Sequence, residues 1–287
     1  MLNRSLLFVP ADKEKMLRKI NELQADLIII DLEDAVRVDE KHIGRDLIRK
    51  YIGDWEKPVF IRVNSIETSE FQVDMQLILE ISNAVSLQGV MLPKSSSRRN
   101  IEELAEHLET IENQGSRQSK LSIIPLIESA LGVHNSIEIA SSHQRVMMLA
   151  FGGVDFTTDI GAQITDGEME LLYARSKMVI ASRCANIKQP IDTVYTNFKD
   201  NDGFIENCIY VKALGFAGKL LIHPSQIKGA NAVFSPSKEE FEFAQQLVSQ
   251  ALKEKGAFQL DGKMIDKPII EKAERILNEY ELIKSKN

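Results

Sequence analysis

Short runs that are apolar at almost every position alternate along this chain with longer segments in which apolar residues recur every three or four places. The first pattern predicts strands buried on both faces, as in a parallel sheet, and the second predicts amphipathic helices packed against them. Strands are expected at 5–10, 27–31, 59–63, 89–92, 123–127, 146–151, 191–195 and 219–222. Helices are expected near 12–23, 39–51, 69–83, 100–112, 132–142, 166–186, 204–214 and 237–255. Eight strands alternating with helices is the pattern of a closed (β/α)8 TIM barrel. A doubly wound open sheet would carry a Gly-rich phosphate turn after the first strand, and Val9-Pro10-Ala11-Asp12 supplies none. Beyond the last unit come a loop over 256–265 and a helix over 267–284. Residues 1–255 are therefore expected to form a catalytic barrel, and 256–287 an added lid loop and helix that covers the mouth or a neighbouring subunit.

Active sites of such barrels are built from the C-terminal ends of the strands. Reading off those ends gives Asp31, Glu33 and Asp34, then Arg62 and Asn64, Lys94, Glu128, Asp155, Asp192 with Tyr195, and His223. Glu128 and Asp155 are each the first charge after an apolar run, on consecutive strands. Two carboxylates leaving neighbouring parallel strands at one end can share a hard cation, because Mg²⁺ needs only one or two and fills its other positions with substrate and water. The competing role for each acid alone is a helix cap, since both precede plausible helix starts.

Arg62 sits between Ile61 and Val63 in an otherwise apolar strand, so its guanidinium needs an anionic partner. That partner is either substrate oxygens or a structural ion pair with Asp31 or Glu33. Lys94 invites a metal-free alternative, a Schiff-base lysine attacking a ketone. His223, in a Pro-flanked turn, is a base, a ligand or a loop anchor. Lys13, Lys15, Arg18 and Lys19 form a basic cluster past the first strand, which reads as a solvated helix face or as a seat for the phosphates of coenzyme A. Arg4, Lys13, Lys19 and Lys94 are the candidate CoA-binding cations.

Composition narrows the partners. With 287 residues and 44% hydrophobic content the chain can bury a sizeable core, and its net charge of −7 argues against a general nucleic-acid binder. Cys184 and Cys208 have no metal-ligand spacing and read as free thiols of a reducing compartment. No apolar stretch approaches the ~20 residues of a membrane span, so a cytoplasmic, soluble protein without membrane contact is expected.

The segments Arg4-Ser5-Leu6-Leu7-Phe8-Val9-Pro10, Asp31-Leu32-Glu33-Asp34-Ala35-Val36, Ile61-Arg62-Val63-Asn64, Leu92-Pro93-Lys94, Ile127-Glu128-Ser129-Ala130-Leu131-Gly132-Val133 and Phe151-Gly152-Gly153-Val154-Asp155-Phe156 carry a resemblance. So do Gly215-Phe216-Ala217-Gly218-Lys219, Ile222-His223-Pro224-Ser225-Gln226 and Gly262-Lys263-Met264-Ile265-Asp266. Together, in order over nearly the whole chain, they resemble the citrate lyase β-subunit-like group of the HpcH/HpaI aldolase superfamily. The resemblance implies a Mg²⁺-dependent carbon–carbon lyase acting between an acyl thioester, of CoA or acyl-carrier protein, and a small 2-oxo acid, with citryl, malyl and citramalyl thioesters as substrates. It implies Glu128 and Asp155 as metal ligands, Arg62 as the arginine on the substrate's oxygens, and Glu33 and Asp34, with Asn64 beside them, as support for the metal waters. It further implies Asp266 as an acid/base reaching a neighbouring subunit's site, in a homotrimer. Gly153-Val154-Asp155 and Ile222-His223-Pro224 depart from the citrate lyase β-subunit proper, which leaves free CoA and acyl-carrier protein both open. A non-catalytic subunit of a larger complex is the remaining alternative.

Overall fold

A computed structural model describes residues 1–115, 117, 119–254, 257–260 and 262–284. Its strands are β1 (Ser5–Pro10), β2 (Leu27–Asp31), β3 (Val59–Arg62), β4 (Leu87–Leu92), β5 (Ser122–Ile127), β6 (Ala150–Phe151), β7 (Ile191–Asp192) and β8 (Gly218–Leu221). All pair parallel in sequence order, and β8 closes on β1, so the expected (β/α)8 barrel is what forms.

The helices are α1 (Glu14–Leu17), α2 (Lys41–Tyr51), α3 (Ser69–Ile81), α4 (Arg98–Gly115), α5 (Ala130–His134), α6 (Ser136–Ala140), α7 (Gly153–Asp159), α8 (Leu172–Cys184), α9 (Asn201–Leu214), α10 (Gln226–Phe234), α11 (Lys238–Ala251) and α12 (Lys267–Lys284). The helix expected over 12–23 is instead α1 and a separate 3₁₀ turn at Ile20–Glu22, which insert Leu17 and Ile20 into the main core. The strand expected over 146–151 keeps an isolated bridge at Val146 and regular ladder pairing only at Ala150–Phe151. Between the Ile123–Val146 bridge and the Leu126–Ala150 pair lies one more residue on this strand than on β5, and such an extra residue interrupts the ladder.

Side chains alternate between two cores, as the period of a strand requires. Leu6, Ile29, Phe60, Met91, Ile124 and Ala150 belong to a cluster filling the barrel interior, while Leu7, Ile28, Ile30, Ile61, Val90 and Ile123 face the helices. Gly89 makes room for that interior: a Cβ there would lie 2.6 Å from the Phe60 ring and 2.0 Å from the Ser122 carbonyl oxygen. Burying a ring of that size stabilises the barrel by roughly 1.5–3 kcal/mol.

The helix that follows β8 is α10, a short element packed on α9 and β8 that was not expected from the sequence. Its apolar residues Ile227, Ala230 and Phe234 do follow a three-to-four spacing, but Gly229 and Pro224 read as turn signals. The next helix, α11, starts with a full capping box on Ser237 and Glu240. Ala244 and Leu247 of α11 form a separate apolar cluster with Leu260, Ile265 and Ala273. The apolar contacts thus group α11 with the C-terminal segment, whereas the division expected at 255/256 falls on residues outside the described ones. Within the expected loop, β9 (Phe258–Leu260) and β10 (Lys263–Ile265) form an antiparallel hairpin. Gly262, at φ +75°, takes the left-handed conformation that a tight turn requires, and the Asp-Gly pair between the two strands is its sequence signal. Among the described residues no helix is long and apolar enough to cross a membrane.

Candidate active site at the barrel mouth

The mouth begins with a buried ion pair. Arg62 ends β3 opposite Asp31, which ends β2, and the two are register partners. The guanidinium donates to both carboxylate oxygens, Nε to Oδ1 at 2.7 Å and Nη2 to Oδ2 at 2.5 Å, the fork geometry that makes arginine pairs strong. Asp31 also accepts from the backbone N–H groups of Glu33 and Ala35, fixing the turn that follows β2. The third nitrogen, Nη1, lies 3.0 Å from Glu33 Oε2 and 3.7 Å from Asp34 Oδ2, and the guanidinium carbon sits 4.8 Å from the centre of the Phe8 ring. Burial alone would lower the pKa of Arg62, but the Asp31 hydrogen bonds and charge outweigh it and raise it, so this cation is permanent. The structural ion pair considered for Arg62 is therefore present, with one edge of the guanidinium turned to Glu33 and Asp34.

Glu33 is buried, and neither of its carboxylate oxygens has a partner in hydrogen-bond geometry, although Arg62 and Lys94 stand at ion-pair distance. Burial raises its pKa, against the pull of Arg62. Lys41 holds the chain beneath it. Its ammonium donates to the Leu32 and Glu33 carbonyls and to Asn64 Oδ1, at 2.7, 2.9 and 2.6 Å. The Asn64 amide in turn donates to Asp74 and to Leu32, so Asn64 braces the β2 and β3 ends from behind and is fully engaged there.

Glu128 follows β5 and is buried. Its Oε1 accepts the Lys94 backbone N–H at 2.6 Å, a bond made possible by the left-handed conformation of Lys94, φ +52°. A Cβ on Gly152 would stand 2.6 Å from Glu128 Cβ and 2.9 Å from Oε2, so only glycine lets the chain after β6 pass this side chain so closely. Burial, followed by the charges of Glu33 and Asp155, pushes the Glu128 carboxyl up to about 8. Asp155 stands in the first turn of α7, two residues after Gly153, whose N–H donates to the Thr193 hydroxyl at 2.8 Å. Glu128, Asp155, Asp31, Asp34 and Arg62 all line one cavity of about 370 Å³.

These observations fit a divalent cation. A close-packed, buried carboxylate whose pKa is pushed up, beside a second acid and a buried third whose oxygens accept no hydrogen bond, is a concentration of negative charge that a cation would relieve. Among the described residues no three His, Cys, Asp or Glu side chains converge as a ready-made cage, so Glu128 and Asp155 would be the protein ligands and the rest would come from solvent and substrate.

Other expected residues lie elsewhere. Arg4 precedes β1, at the opposite end of the barrel, clamped by Asp26 through Nε and Nη2, both at 2.8 Å, and bonded to Ser235; it does not reach the mouth. Lys13 is paired with its neighbour Asp12, and Lys19 is exposed beyond α1. Lys94 reaches over the mouth to Glu33 at 3.2 Å, and that charge, outweighing burial, raises its pKa, the wrong direction for an amine nucleophile. Asp192 is wholly buried between Arg175 and Lys219. His223 bonds Ser225 and stacks on Phe198, the loop-anchor role. Asp266, exposed at the start of α12, is absent from the mouth cavity. Its helix instead lines a cavity with Gln189, Phe216 and Ala217, which precede β7 and β8 at the far end of the barrel. Lys41, Thr193 and Gly152 escape the sequence reading. Gly152 alone carries a signal there, as half of a Gly-Gly step between a strand and an acid.

Comparison with known proteins agrees with this architecture. The family model for HpcH/HpaI aldolase/citrate lyase matches residues 4–224. The citrate lyase subunit beta of Leuconostoc mesenteroides subsp. cremoris is 32% identical, over 96% of this chain and 92% of its own. The human mitochondrial citramalyl-CoA lyase is also 32% identical, over 99% of this chain and 87% of its own. Among solved structures, protein CitE from Mycobacterium tuberculosis in complex with magnesium, acetoacetate and coenzyme A is 27% identical with a TM-score of 0.78, covering 96% of this chain and 97% of that one.

Proposed function

This chain belongs to the HpcH/HpaI aldolase/citrate lyase family, and from that premise we propose that it is a Mg²⁺-dependent carbon–carbon lyase. It cleaves, or forms, a 2-hydroxyacyl thioester of the CoA type, giving a 2-oxo acid and a simple acyl thioester. The observation that carries the reading is the convergence of Glu128 and Asp155, from the ends of β5 and β6, in one cavity with Arg62. Relatives are named for CoA-ester and citrate cleavage, and a similar structure holds magnesium and coenzyme A.

In the cleavage direction the substrate hydroxyl loses its proton, the C–C electron pair passes to the carbon next to the thioester as an enolate, and one proton is returned to that carbon. Nothing is oxidised. Glu128 and Asp155 would hold the ion, which when bound supplies fixed positive charge to the oxygens of the hydroxy acid. Arg62, fixed by Asp31, presents a preorganised cation to the developing enolate, and preorganisation is what gives such a charge its value. Glu33 and Asp34 stand beside it as acceptors for water in the site.

The acid that returns the proton is Asp266 of a neighbouring subunit. Support for a shared site comes from α12, which packs toward the far end of its own barrel and so leaves Asp266 outside its own mouth. The C-terminal segment over 256–287 is then the part that meets the neighbour, in a homotrimer. Two free cysteines support a cytoplasmic location.

The test uses Glu128→Ala and Asp155→Ala with a panel of CoA esters, with Mg²⁺ and with chelator. Loss of metal-dependent turnover in both is expected; full activity in either, or borohydride trapping of substrate on Lys94, would refute the mechanism. An isolated chain inert on every ester would favour a non-catalytic subunit or one dependent on acyl-carrier protein.

A further inference from the structure

Strand β7 is pinned from its outer side. Asp192 is wholly buried and accepts from Arg175 of α8, Nε and Nη2 at 2.8 and 3.1 Å, and from Lys219, its register partner on β8, at 2.5 Å. Ile191 before it belongs to the interior cluster, so the alternation of a strand brings the next residue, Thr193, back to the inner side. There it lines the mouth cavity with Glu128, Asp155 and Arg62.

Thr193 is only 3% exposed, yet its hydroxyl is half used. Oγ1 accepts the Gly153 N–H at 2.8 Å, one of the first N–H groups of α7, which have no partner inside their own helix. A hydroxyl has a proton to give besides the lone pairs it offers. Among the described residues no acceptor takes that proton. A buried donor without an acceptor is costly, so its partner is to be sought in whatever fills the cavity.

The other polar side chains lining the cavity are four carboxyl groups and Arg62, whose Nε and Nη2 are committed to Asp31 while Nη1 faces Glu33. Thr193 is thus the only hydroxyl there among the described residues. A 2-oxo acid brings in a carboxylate with about four lone-pair sites to fill. Thr193 is placed for that half of the substrate: the Gly153 N–H that it holds lies two residues before Asp155. Arg62, by contrast, comes from β3, on the opposite side of the eight-stranded barrel from β7.

We propose that Thr193 is a substrate-binding residue whose hydroxyl donates to the carboxylate of the 2-oxo acid half. This assignment rests on the lyase reading above. The carboxylate keeps its charge throughout cleavage, so a donor to it strengthens ground state and transition state alike and shows in KM rather than in kcat. No bond is made or broken at Thr193, and its proton stays on Oγ1.

The experiment compares the wild type with Thr193→Val, which keeps the shape and loses the hydroxyl, and Thr193→Ser, which keeps the hydroxyl. With Mg²⁺, Thr193→Val is expected to raise the inhibition constant of pyruvate, and the KM of whichever CoA ester is turned over fastest, by about 10–100-fold. Its kcat, and its Mg²⁺ affinity without pyruvate, should stay within about threefold, and Thr193→Ser should resemble the wild type throughout. Because Thr193→Val also takes the acceptor from the Gly153 N–H, infrared spectra of bound pyruvate carrying a heavy carbon in its carboxyl group separate the two roles. At saturating pyruvate the carboxylate stretch is expected to shift in Thr193→Val and to return in Thr193→Ser. An unshifted band, or a KM and inhibition constant equal to the wild type's, would overturn the assignment and leave the lyase intact. So would a loss confined to kcat or Mg²⁺ affinity, the mark of a residue that merely supports α7. A wild type that neither binds pyruvate with Mg²⁺ nor turns over any ester would overturn both.

Discussion

Replacing Gly152 with alanine probes the site through a single methyl group. The added Cβ would lie 2.6 Å from Glu128 Cβ and 2.9 Å from Oε2, where an ordinary contact begins near 3.4 Å. Glu128 must therefore move by about 0.8 Å, or the chain after β6 must. The backbone of Gly152, at φ −98°, is open to alanine, so the effect is one of space alone. Overpacking of this kind costs about 1–3 kcal/mol of stability, which a barrel of this size survives. A displacement near 1 Å in a group that orients a reaction costs about 100-fold in rate. Gly152→Ala is thus expected to remain folded by circular dichroism, to bind Mg²⁺ about 10–100-fold more weakly by calorimetry, and to lose about 100-fold in kcat. Gly153→Ala is the control: its Cβ would meet the Thr193 side chain at 3.0 Å and lies away from Glu128, so Mg²⁺ affinity should change far less. Unaltered Mg²⁺ affinity and turnover in Gly152→Ala would refute the placement of Glu128 as a ligand.

Mixing two inactive variants tests the shared site. Asp266→Asn and Glu128→Gln should each be inactive alone, and co-refolded or co-expressed they should regain a measurable fraction of activity; mixtures that stay dead would contradict a contribution across subunits. The raised pKa of Glu128, about 8, means that its protonated form contributes stability fully present below its ordinary 4.5 and lost as pH rises through about 8. Mg²⁺ binding at pH 7 is accordingly expected to release a proton, read by calorimetry in buffers of different ionisation enthalpy, and Glu128→Gln should abolish that release. Away from the site, Arg145 forks onto Glu112 at 2.6 and 2.7 Å in the core, and Arg145→Met strands that carboxylate at a cost of about 3–5 kcal/mol, measurable by denaturant unfolding. Burial pushes Glu112 up, but the Arg145 hydrogen bonds prevail and lower it. Its stabilisation is therefore present above about 4.5 and lost as pH falls further, a slope that Arg145→Met should flatten.

The barrel was legible because its strands are buried on both faces and read as unbroken apolar runs such as Leu27–Asp31, whose limits coincide with the observed strand. The mouth acids were legible for the same reason, being the first charges after those runs. What was not legible depends on contacts between distant segments. Lys41 looks like any surface lysine of a helix start, yet its ammonium is buried against three acceptors brought together by β2 and β3. Arg4 carries the charge expected of a CoA site but precedes β1, so strand direction sends it to the other end of the barrel. The hairpin of β9 and β10 has strands too short for a periodicity to register, and only its Asp-Gly pair announces it.

In the proposed mechanism Glu128 and Asp155 grip one divalent ion. Titration of Mn²⁺ into the protein with pyruvate, followed by electron paramagnetic resonance, counts that ion directly. One tightly bound ion per chain is expected, with affinity reduced about 100-fold or more in both Glu128→Gln and Asp155→Asn. Equal stoichiometry and affinity in all three proteins would contradict it.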